Sequence, residues 1–289
     1  RLDNISAGTY YLHTTDFKGC TKTDSVTLYE PEGMVLSDSQ VQVKADGTFN
    51  VSCDGGSDGS INITITGGSG NYTYSWSGPS GFTSSSEDIS GLRAGTYTCS
   101  VLDLNGCLLA PVPSFTLTAP TDLSISATPS ISPDGDYNIA CNGGTGSVDL
   151  TVSGGIPGTY QYIWSTTDGS GLAQGLEDQS ALTAGTYTVI VRDINGCEET
   201  LSITLTAPDI ITLVFTEKNI TCASGVFNDG AIDLQVTGGA SPYTFAWSNS
   251  SVSEDISGLT EGTYTVTVTD FNGCTMTGSA GVVNPPPLT

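Results

Sequence analysis

One pattern occurs four times in this sequence, and the repetition limits the chain to an array of small, similar domains. The segment EDISGLRAGTYTCSVLDLNGC ends at Cys107, and related segments end at Cys197, Cys274 and, in a shorter form, Cys20. These cysteines lie 87, 90 and 77 residues apart. Such a period fits a whole domain and is too long for one unit of a solenoid. We therefore expect tandem domains in one chain.

Prolines predict where one repeat ends and the next begins, because proline cannot donate a hydrogen bond to a strand ladder. Pro31, Pro120 and Pro208 each follow a predicted last strand. We expect residues 1–31 to be the C-terminal half of a truncated repeat, so that the sequence begins inside a longer array. The complete repeats are predicted at 32–120, 121–208 and 209–289.

Composition favours β structure and excludes several classes of partner. The chain has 36 Gly, 13 Pro and 37% apolar residues, which is too apolar for a disordered acidic tail and too rich in turn formers for helices. Its 7 basic and 30 acidic residues give a net charge of −23, which would repel nucleic acid and anionic membranes. No apolar run approaches the roughly 20 residues that span a bilayer. We expect neither nucleic-acid binding nor direct membrane insertion.

Alternating apolar residues predict half-buried strands at the same place in each repeat. A Gly-Gly pair follows each, and then an aromatic strand that ends at Trp76, Trp164 or Trp247. We predict that these indoles, together with Tyr97, Tyr187 and Tyr264 of a tyrosine corner, are core anchors. An Asn-Gly pair ends the next strand and favours a type I′ hairpin turn. The predicted fold is all-β, with tandem immunoglobulin-like β-sandwich domains in an elongated array. The alternating residues are Ile61, Ile63, Ile65, Val148, Leu150, Val152, Ile232, Leu234 and Val236.

The order of these motifs resembles the SprB repeat family. The motifs are C-x-G-x-x-D-G-S-I, G-G, Y-x-Y-x-W and D-I-S-G-L-x-x-G-T-Y-T-V-x-V-x-D-x-N-G-C. SprB repeats occur in many copies in giant gliding-motility adhesins and related surface proteins of Bacteroidota. The resemblance implies export by the type IX secretion system, a cell-surface, outer-membrane-associated location and a filamentous adhesive role.

Six cysteines are candidates for structural disulfides, which indicate an oxidising compartment. Each repeat has one early cysteine (Cys53, Cys141, Cys222) and one late cysteine (Cys107, Cys197, Cys274). We favour pairing of the early with the late cysteine within each repeat. The geometry is difficult, because a strand of about 23 Å lies between the two cysteines, whereas the Cα atoms of a disulfide must lie within about 7 Å of each other. The alternative joins neighbouring repeats, as Cys53 with Cys197 and Cys141 with Cys274. Cys99 aligns with core positions and is expected to be a buried, inert thiol, and we expect the partner of Cys20 to lie upstream of residue 1.

The sequence gives little support for a catalytic or metal site, and we predict no catalytic, cofactor-binding or metal residues. The single histidine, His13, occupies a variable position, so a histidine-based catalytic group is not expected. A calcium site at repeat junctions is conceivable, but aspartates in such turns more often bond their own backbone. The carboxylates considered for calcium are Asp16, Glu32, Asp54, Asp58, Asp103, Asp122, Asp193, Asp209, Asp229 and Asp270.

Two functions from different classes follow. The first is a structural and adhesive repeat segment of a large cell-surface filament or adhesin, which gives reach and multivalent contact. Its partners would be further repeats of the same chain, other filament copies or surface polysaccharide. The second is a carbohydrate-binding or spacer module array of a secreted enzyme, which would need exposed aromatic rings instead of buried ones.

Overall fold

The structure is a computed structural model that describes residues 3–158, 160–221 and 228–285. The chain divides into two compact units, Arg1–Asp122 and Leu123–Thr289. The described residues form strands and one short 3-10 helix, Pro79–Gly81, so the predicted all-β class is confirmed. No helix in this part of the chain is long and apolar enough to cross a membrane.

The first unit contains an isolated hairpin and one sandwich. The hairpin pairs β1 (Gly8–Thr15) with β2 (Thr21–Leu28). One sheet of the sandwich has the order β3-β4-β7 and the other has the order β6-β5-β8-β9. The sandwich strands are β3 (Val35–Val41), β4 (Gly59–Thr66), β5 (Thr73–Ser77), β6 (Thr83–Ser84), β7 (Ile89–Leu92), β8 (Gly95–Leu102) and β9 (Ser114–Leu117).

The described residues of the second unit form two sandwiches of six strands each. Each sandwich has two three-stranded sheets, ordered β10-β11-β13 with β12-β14-β15, and β16-β17-β19 with β18-β20-β21. Neighbouring strands within every sheet are antiparallel. The strands are β10 (Ser124–Pro129), β11 (Gly146–Ser153), β12 (Gln161–Thr166), β13 (Gln179–Leu182), β14 (Gly185–Arg192), β15 (Glu198–Leu205), β16 (Thr212–Lys218), β17 (Gly230–Thr237), β18 (Thr244–Trp247), β19 (Ile256–Leu259), β20 (Gly262–Thr269) and β21 (Thr275–Val282).

This arrangement is an immunoglobulin-like sandwich, because three strands of one sheet face the remaining strands of the other with the chain crossing between them. No strand crosses a predicted boundary between repeats. The last two predicted repeats, however, share one compact unit. A disulfide and hydrogen bonds join these two repeats.

Each sandwich encloses its own apolar core, as the period-2 pattern predicts. Trp76, Trp164 and Trp247 are 1%, 3% and 4% exposed and lie in three separate core clusters. Each indole Nε1 donates to a backbone carbonyl at 2.9 Å, so the buried polar atom is satisfied. The indoles are therefore core anchors, as predicted from the sequence.

Tyrosine corners are present in all three sandwiches and in the hairpin. The hydroxyl of Tyr97 donates to the carbonyl of Arg93, four residues upstream, and Tyr187, Tyr264 and Tyr10 make the equivalent bond. Tyr187 is fully buried, whereas Tyr264 is only partly buried. In each sandwich this hydrogen bond therefore holds the turn that leads into the long strand, which is β8, β14 or β20.

The prediction of a type I′ turn from the Asn-Gly pair is wrong. In the β14–β15 turn the N–H of Gly196 donates to the carbonyl of Asp193, and the N–H of Asp193 donates to the carbonyl of Cys197. Gly196 has φ +87°, but Asn195 does not have a positive φ. This is a type I turn followed by a left-handed glycine bulge, a three-residue hairpin loop. The aspartate side chain selects it by bonding the turn amides.

Replacement of Tyr187 by Phe should lower the free energy of unfolding by roughly 1–3 kcal/mol, because the half-buried carbonyl of Thr183 then loses its donor. Tyr264→Phe is the matched control at the equivalent corner and should cost less, since solvent reaches its partner. Urea unfolding of both variants measures the difference. Equal losses would contradict a burial-dependent role for the corner.

Candidate functional site: a covalent junction between repeats

The two ends of the middle sandwich carry different cysteines. In the repeat that contains β10 to β15, the β10–β11 loop carries Cys141 and the β14–β15 turn carries Cys197. The N–H of Asn138 in the loop donates to the carbonyl of Thr206, at the far end of β15 from Cys197. The eight residues of β15 span roughly 26 Å. Cys141 and Cys197 therefore lie at opposite ends of one sandwich.

A disulfide joins Cys141 to Cys274, with 5.6 Å between the two Cα atoms. Cys274 follows the β20–β21 turn of the last repeat, so the bond links the β10–β11 loop of one repeat to the hairpin turn of the next. Both repeats lie in the second compact unit. The junction is thus covalent.

Hydrogen bonds of Asn272 reinforce the same junction. Its Oδ1 accepts from the N–H of Asp134 at 3.0 Å, and its Nδ2 donates to the carbonyl of Ala140 at 3.2 Å. The hydroxyl of Ser132 donates to the carboxylate of Asp134 and lowers its pKa. A loop of one repeat therefore binds the turn of the next through backbone groups as well as through sulfur.

A buried aspartate holds each hairpin turn in shape. Asp193 is 3% exposed, and its Oδ1 accepts from the N–H groups of Asn195 and Cys197 while its Oδ2 accepts from Ile156 in the Gly-Gly turn. Gly155 allows this contact, because a Cβ there would lie 2.9 Å from Oδ2 and φ is +54°. Asp103 and Asp270 make equivalent bonds. The aspartate joins the hairpin turn to the Gly-Gly turn at one end of the sandwich. It also accepts from the N–H of the late cysteine and so holds that cysteine in position.

An asparagine holds the early cysteine at the opposite end. Oδ1 of Asn138 accepts from the N–H and the hydroxyl of Thr206, while Ile139, next to it, is buried. A tight turn closed from Gly144 N–H to the carbonyl of Cys141 follows. Asn50 bonds Thr118 in the same way, and Asn219 bonds Val283. The loop therefore presents its cysteine at the end of the sandwich.

The favoured in-repeat pairing is wrong for Cys141 and Cys274, and the between-repeat alternative is confirmed for this pair. The pairing of Cys53 with Cys107 is also wrong, because Cys107 is an exposed free thiol. The reason is the length of the sandwich, since the residues after the early cysteine form a tight turn and do not run back along the domain. Cys222 lies outside the described residues.

Cys53 and Cys197 are both disulfide-bonded. They occupy the sequence positions equivalent to Cys141 and Cys274 in the preceding pair of repeats. The between-repeat scheme predicts that they are each other's partners, and this pairing stays a prediction.

Two other cysteines are free. Cys99 is fully buried, as its alignment with core positions predicts, and burial raises the pKa of its thiol to about 11. Such a thiol stays protonated and is a poor nucleophile near neutral pH. Cys20 is exposed at the end of the isolated hairpin.

Six of the aspartates considered for calcium accept hydrogen bonds from nearby backbone or side-chain donors, namely Asp16, Asp58, Asp103, Asp193, Asp229 and Asp270. Asp229 accepts from the N–H and hydroxyl of Thr221, which lowers its pKa. Burial raises the pKa of Asp58, but bonds from Ser52 and the Lys44 ammonium outweigh it and lower the pKa to about 2. Among the residues that the structure describes, no three His, Cys, Asp or Glu side chains are grouped to hold a metal ion. The prediction that no residue of the chain binds a metal stays a prediction. His13 is exposed and bonds Thr23.

Sequence reasoning missed the two asparagines that shape the junction. A signal was available, because Asn50, Asn138 and Asn219 each precede the early cysteine by three residues. Asn272 belongs to the Asn-Gly pair that was interpreted only as a turn former. A side chain that bonds another repeat leaves no pattern within its own repeat.

Taken together, these features define immunoglobulin-like sandwiches in tandem, with a disulfide between the last two of them. The SprB repeat family profile matches three segments of the chain, residues 48–81, 137–169 and 214–252. Each match begins close to the asparagine–cysteine loop or the strand before it and covers the aromatic strand. The resemblance to the SprB repeat that the motifs predicted is therefore confirmed in each of the three sandwiches.

The chain is similar to several solved structures at low identity and low TM-score. The chain is 14% identical to Sidekick-1 immunoglobulin domains 1–5, with 96% of this chain and 66% of that chain covered and a TM-score of 0.35. It is 11% identical to the eight N-terminal immunoglobulin domains of Down Syndrome Cell Adhesion Molecule, with 96% of this chain and 58% of that chain covered and a TM-score of 0.33. It is 14% identical to a 1.5-MDa bacterial ice-binding adhesin, with 88% of this chain and 98% of that chain covered and a TM-score of 0.38. The chain thus spans less than two thirds of the first two structures. No curated protein matches it.

Acid should destabilise the first sandwich through Asp103. Hydrogen bonds from the N–H groups of Ser69 and Cys107 lower the pKa of this carboxyl to about 2, against about 3.9 when unfolded. The contribution of the ionised carboxylate to the free energy of unfolding is therefore complete above about pH 4 and is lost as the pH falls through 2. Circular dichroism melting curves between pH 5 and pH 2 should show a falling midpoint. Asp103→Asn should flatten part of this dependence, whereas Asp122→Asn, which removes the same charge from the linker, should not.

Proposed function

We propose that the chain is a structural and adhesive repeat segment of a cell-surface adhesin, with a mechanical rather than a catalytic role. The covalent junction between Cys141 and Cys274 carries this proposal. A spacer that only had to separate two domains would need no bond between them, whereas a segment that bears tension gains from one. The resemblance to the SprB repeat supports the same role.

Disulfides support an extracellular location, because the cytosol keeps thiols reduced. The finer proposal is a surface filament of the gliding-motility type that the type IX secretion system exports and the outer membrane holds. This finer proposal rests on the resemblance to the SprB repeat. The net charge of −23 would keep neighbouring copies soluble and apart.

Proteinase K treatment of intact source cells tests the location. An antibody against residues 121–289 should lose its signal before lysis, while a periplasmic marker stays intact. Protection of this segment until the cells are lysed would contradict a surface role. Loss of surface translocation on deletion of the encoding gene, restored by complementation, is expected for the gliding-motility type.

The carbohydrate-binding alternative needs aromatic rings that a sugar can reach, and the buried positions of the three indoles do not provide them. Tryptophan fluorescence of the purified chain should therefore stay unchanged when neutral and acidic polysaccharides are added. Acrylamide should quench it only weakly, and unfolding in urea should restore full quenching as the control. A saturable shift in the emission maximum with one polysaccharide would favour the alternative.

A further inference from the structure

The Cys141–Cys274 bond closes a covalent ring in the second unit. Residues 142 to 273 lie inside this ring, and their described part includes ten strands, β11 to β20. Of the strands described in the two repeats, β10 and β21 lie outside it. We infer that tension along these two repeats passes through the disulfide and bypasses the ten enclosed strands, so that the bond limits how far the array can extend. The tension itself rests on the proposed function.

The covalent path explains why the enclosed strands are shielded. A chain pulled at Leu123 and at Val283 transmits force along 123–141, across the two sulfur atoms and along 274–283. Both ends of the enclosed segment are fixed at the same covalent link, so pulling cannot separate them. Force therefore reaches β11 to β20 only through their contacts with β10 and β21.

The two loaded strands are held in shear. β10 pairs with β11 from Ser124↔Ser153 to Pro129↔Val148, and β21 pairs with β20 over eight residue pairs. Ladder hydrogen bonds are perpendicular to antiparallel strands, so tension along a strand loads them together. The loop after β10 leads to Cys141 at one end of its sandwich, and β21 starts beside Cys274 at the facing end of the next. Each loaded strand thus runs from the junction to the outer end of its sandwich.

The non-covalent contacts at the junction act at the same point as the bond. Asn272 bonds Asp134 and Ala140, which lie in the loop that carries Cys141. These bonds orient the two thiols and keep the turn seated in the loop. The limit on extension, however, comes from the covalent ring alone.

The ring has a measurable size. A fully extended residue spans at most about 3.4 Å, so release of residues 142 to 273 would add about 450 Å to the maximum extension. While the disulfide is intact, this length is not available at any force below that needed to break a covalent bond.

Optical tweezers on the complete chain test this inference. One handle is attached to a clickable amino acid in place of Asp122, which is exposed in the linker, and the other follows Thr289. The oxidised chain should stop extending about 450 Å short of the reduced chain. Reduction uses dithiothreitol, which gives two electrons and two protons to the disulfide and closes to its own cyclic disulfide. Because reduction takes place on a molecule that has already folded, the test does not require a variant to fold.

The double variant Cys141→Ser, Cys274→Ser should show a similarly long extension without reductant. Cys107→Ser, which removes a free thiol outside the pulled segment, should behave like the original chain. If the oxidised and reduced chains reach the same extension, the inference is overturned. This result would leave the cell-surface location untouched, and protection from proteinase K on cells would leave the extension limit untouched, so the two failures are distinguishable.

Discussion

The distance between the two ends of a sandwich governs the rest of this structure. A strand of eight residues separates the loop that carries the early cysteine from the turn that carries the late one. A disulfide needs Cα atoms within about 7 Å, so the two cysteines of one repeat cannot meet. In the last two repeats, the end of the first sandwich that carries its early cysteine contacts the end of the second that carries its late cysteine. The late cysteine of the following repeat then becomes the available partner, as Cys274 is for Cys141.

Hydrogen-bonded polar side chains hold both ends of the sandwich in the shape that this bond needs. Asp193 and Asp270 tie the hairpin turn to the Gly-Gly turn, and Asn138 ties the early-cysteine loop to the end of the last strand. Because these groups are satisfied by backbone partners, they strengthen a small core without unpaired charge. In the chain-entropy description, closing a loop of this length contributes up to about 5 kcal/mol by restricting the unfolded chain. One bond thus stabilises two repeats together.

Local patterns in the sequence predicted the fold well. The period-2 alternation placed Ile61, Leu150 and Leu234 in three cores, and the recurrence of a single tryptophan per repeat identified the anchor. The cysteine pairing was harder, because each repeat contains one cysteine of each type and spacing alone cannot assign partners. Strand length already opposed the in-repeat scheme, and that physical objection was correct. The role of Asn272 could not be inferred, since its partners Asp134 and Ala140 are more than 130 residues away in sequence.

Tryptic peptide mapping without reductant tests the covalent junction most directly. Cleavage after Arg93, Arg192 and Lys218 places Cys141 in peptide 94–192, Cys197 in peptide 193–218 and Cys274 in peptide 219–289. A junction between consecutive repeats links peptide 94–192 to peptide 219–289, and the pair should separate on reduction. A link between peptides 94–192 and 193–218, with Cys274 bonded inside its own peptide, would show that each repeat is closed on itself and that the junction does not exist.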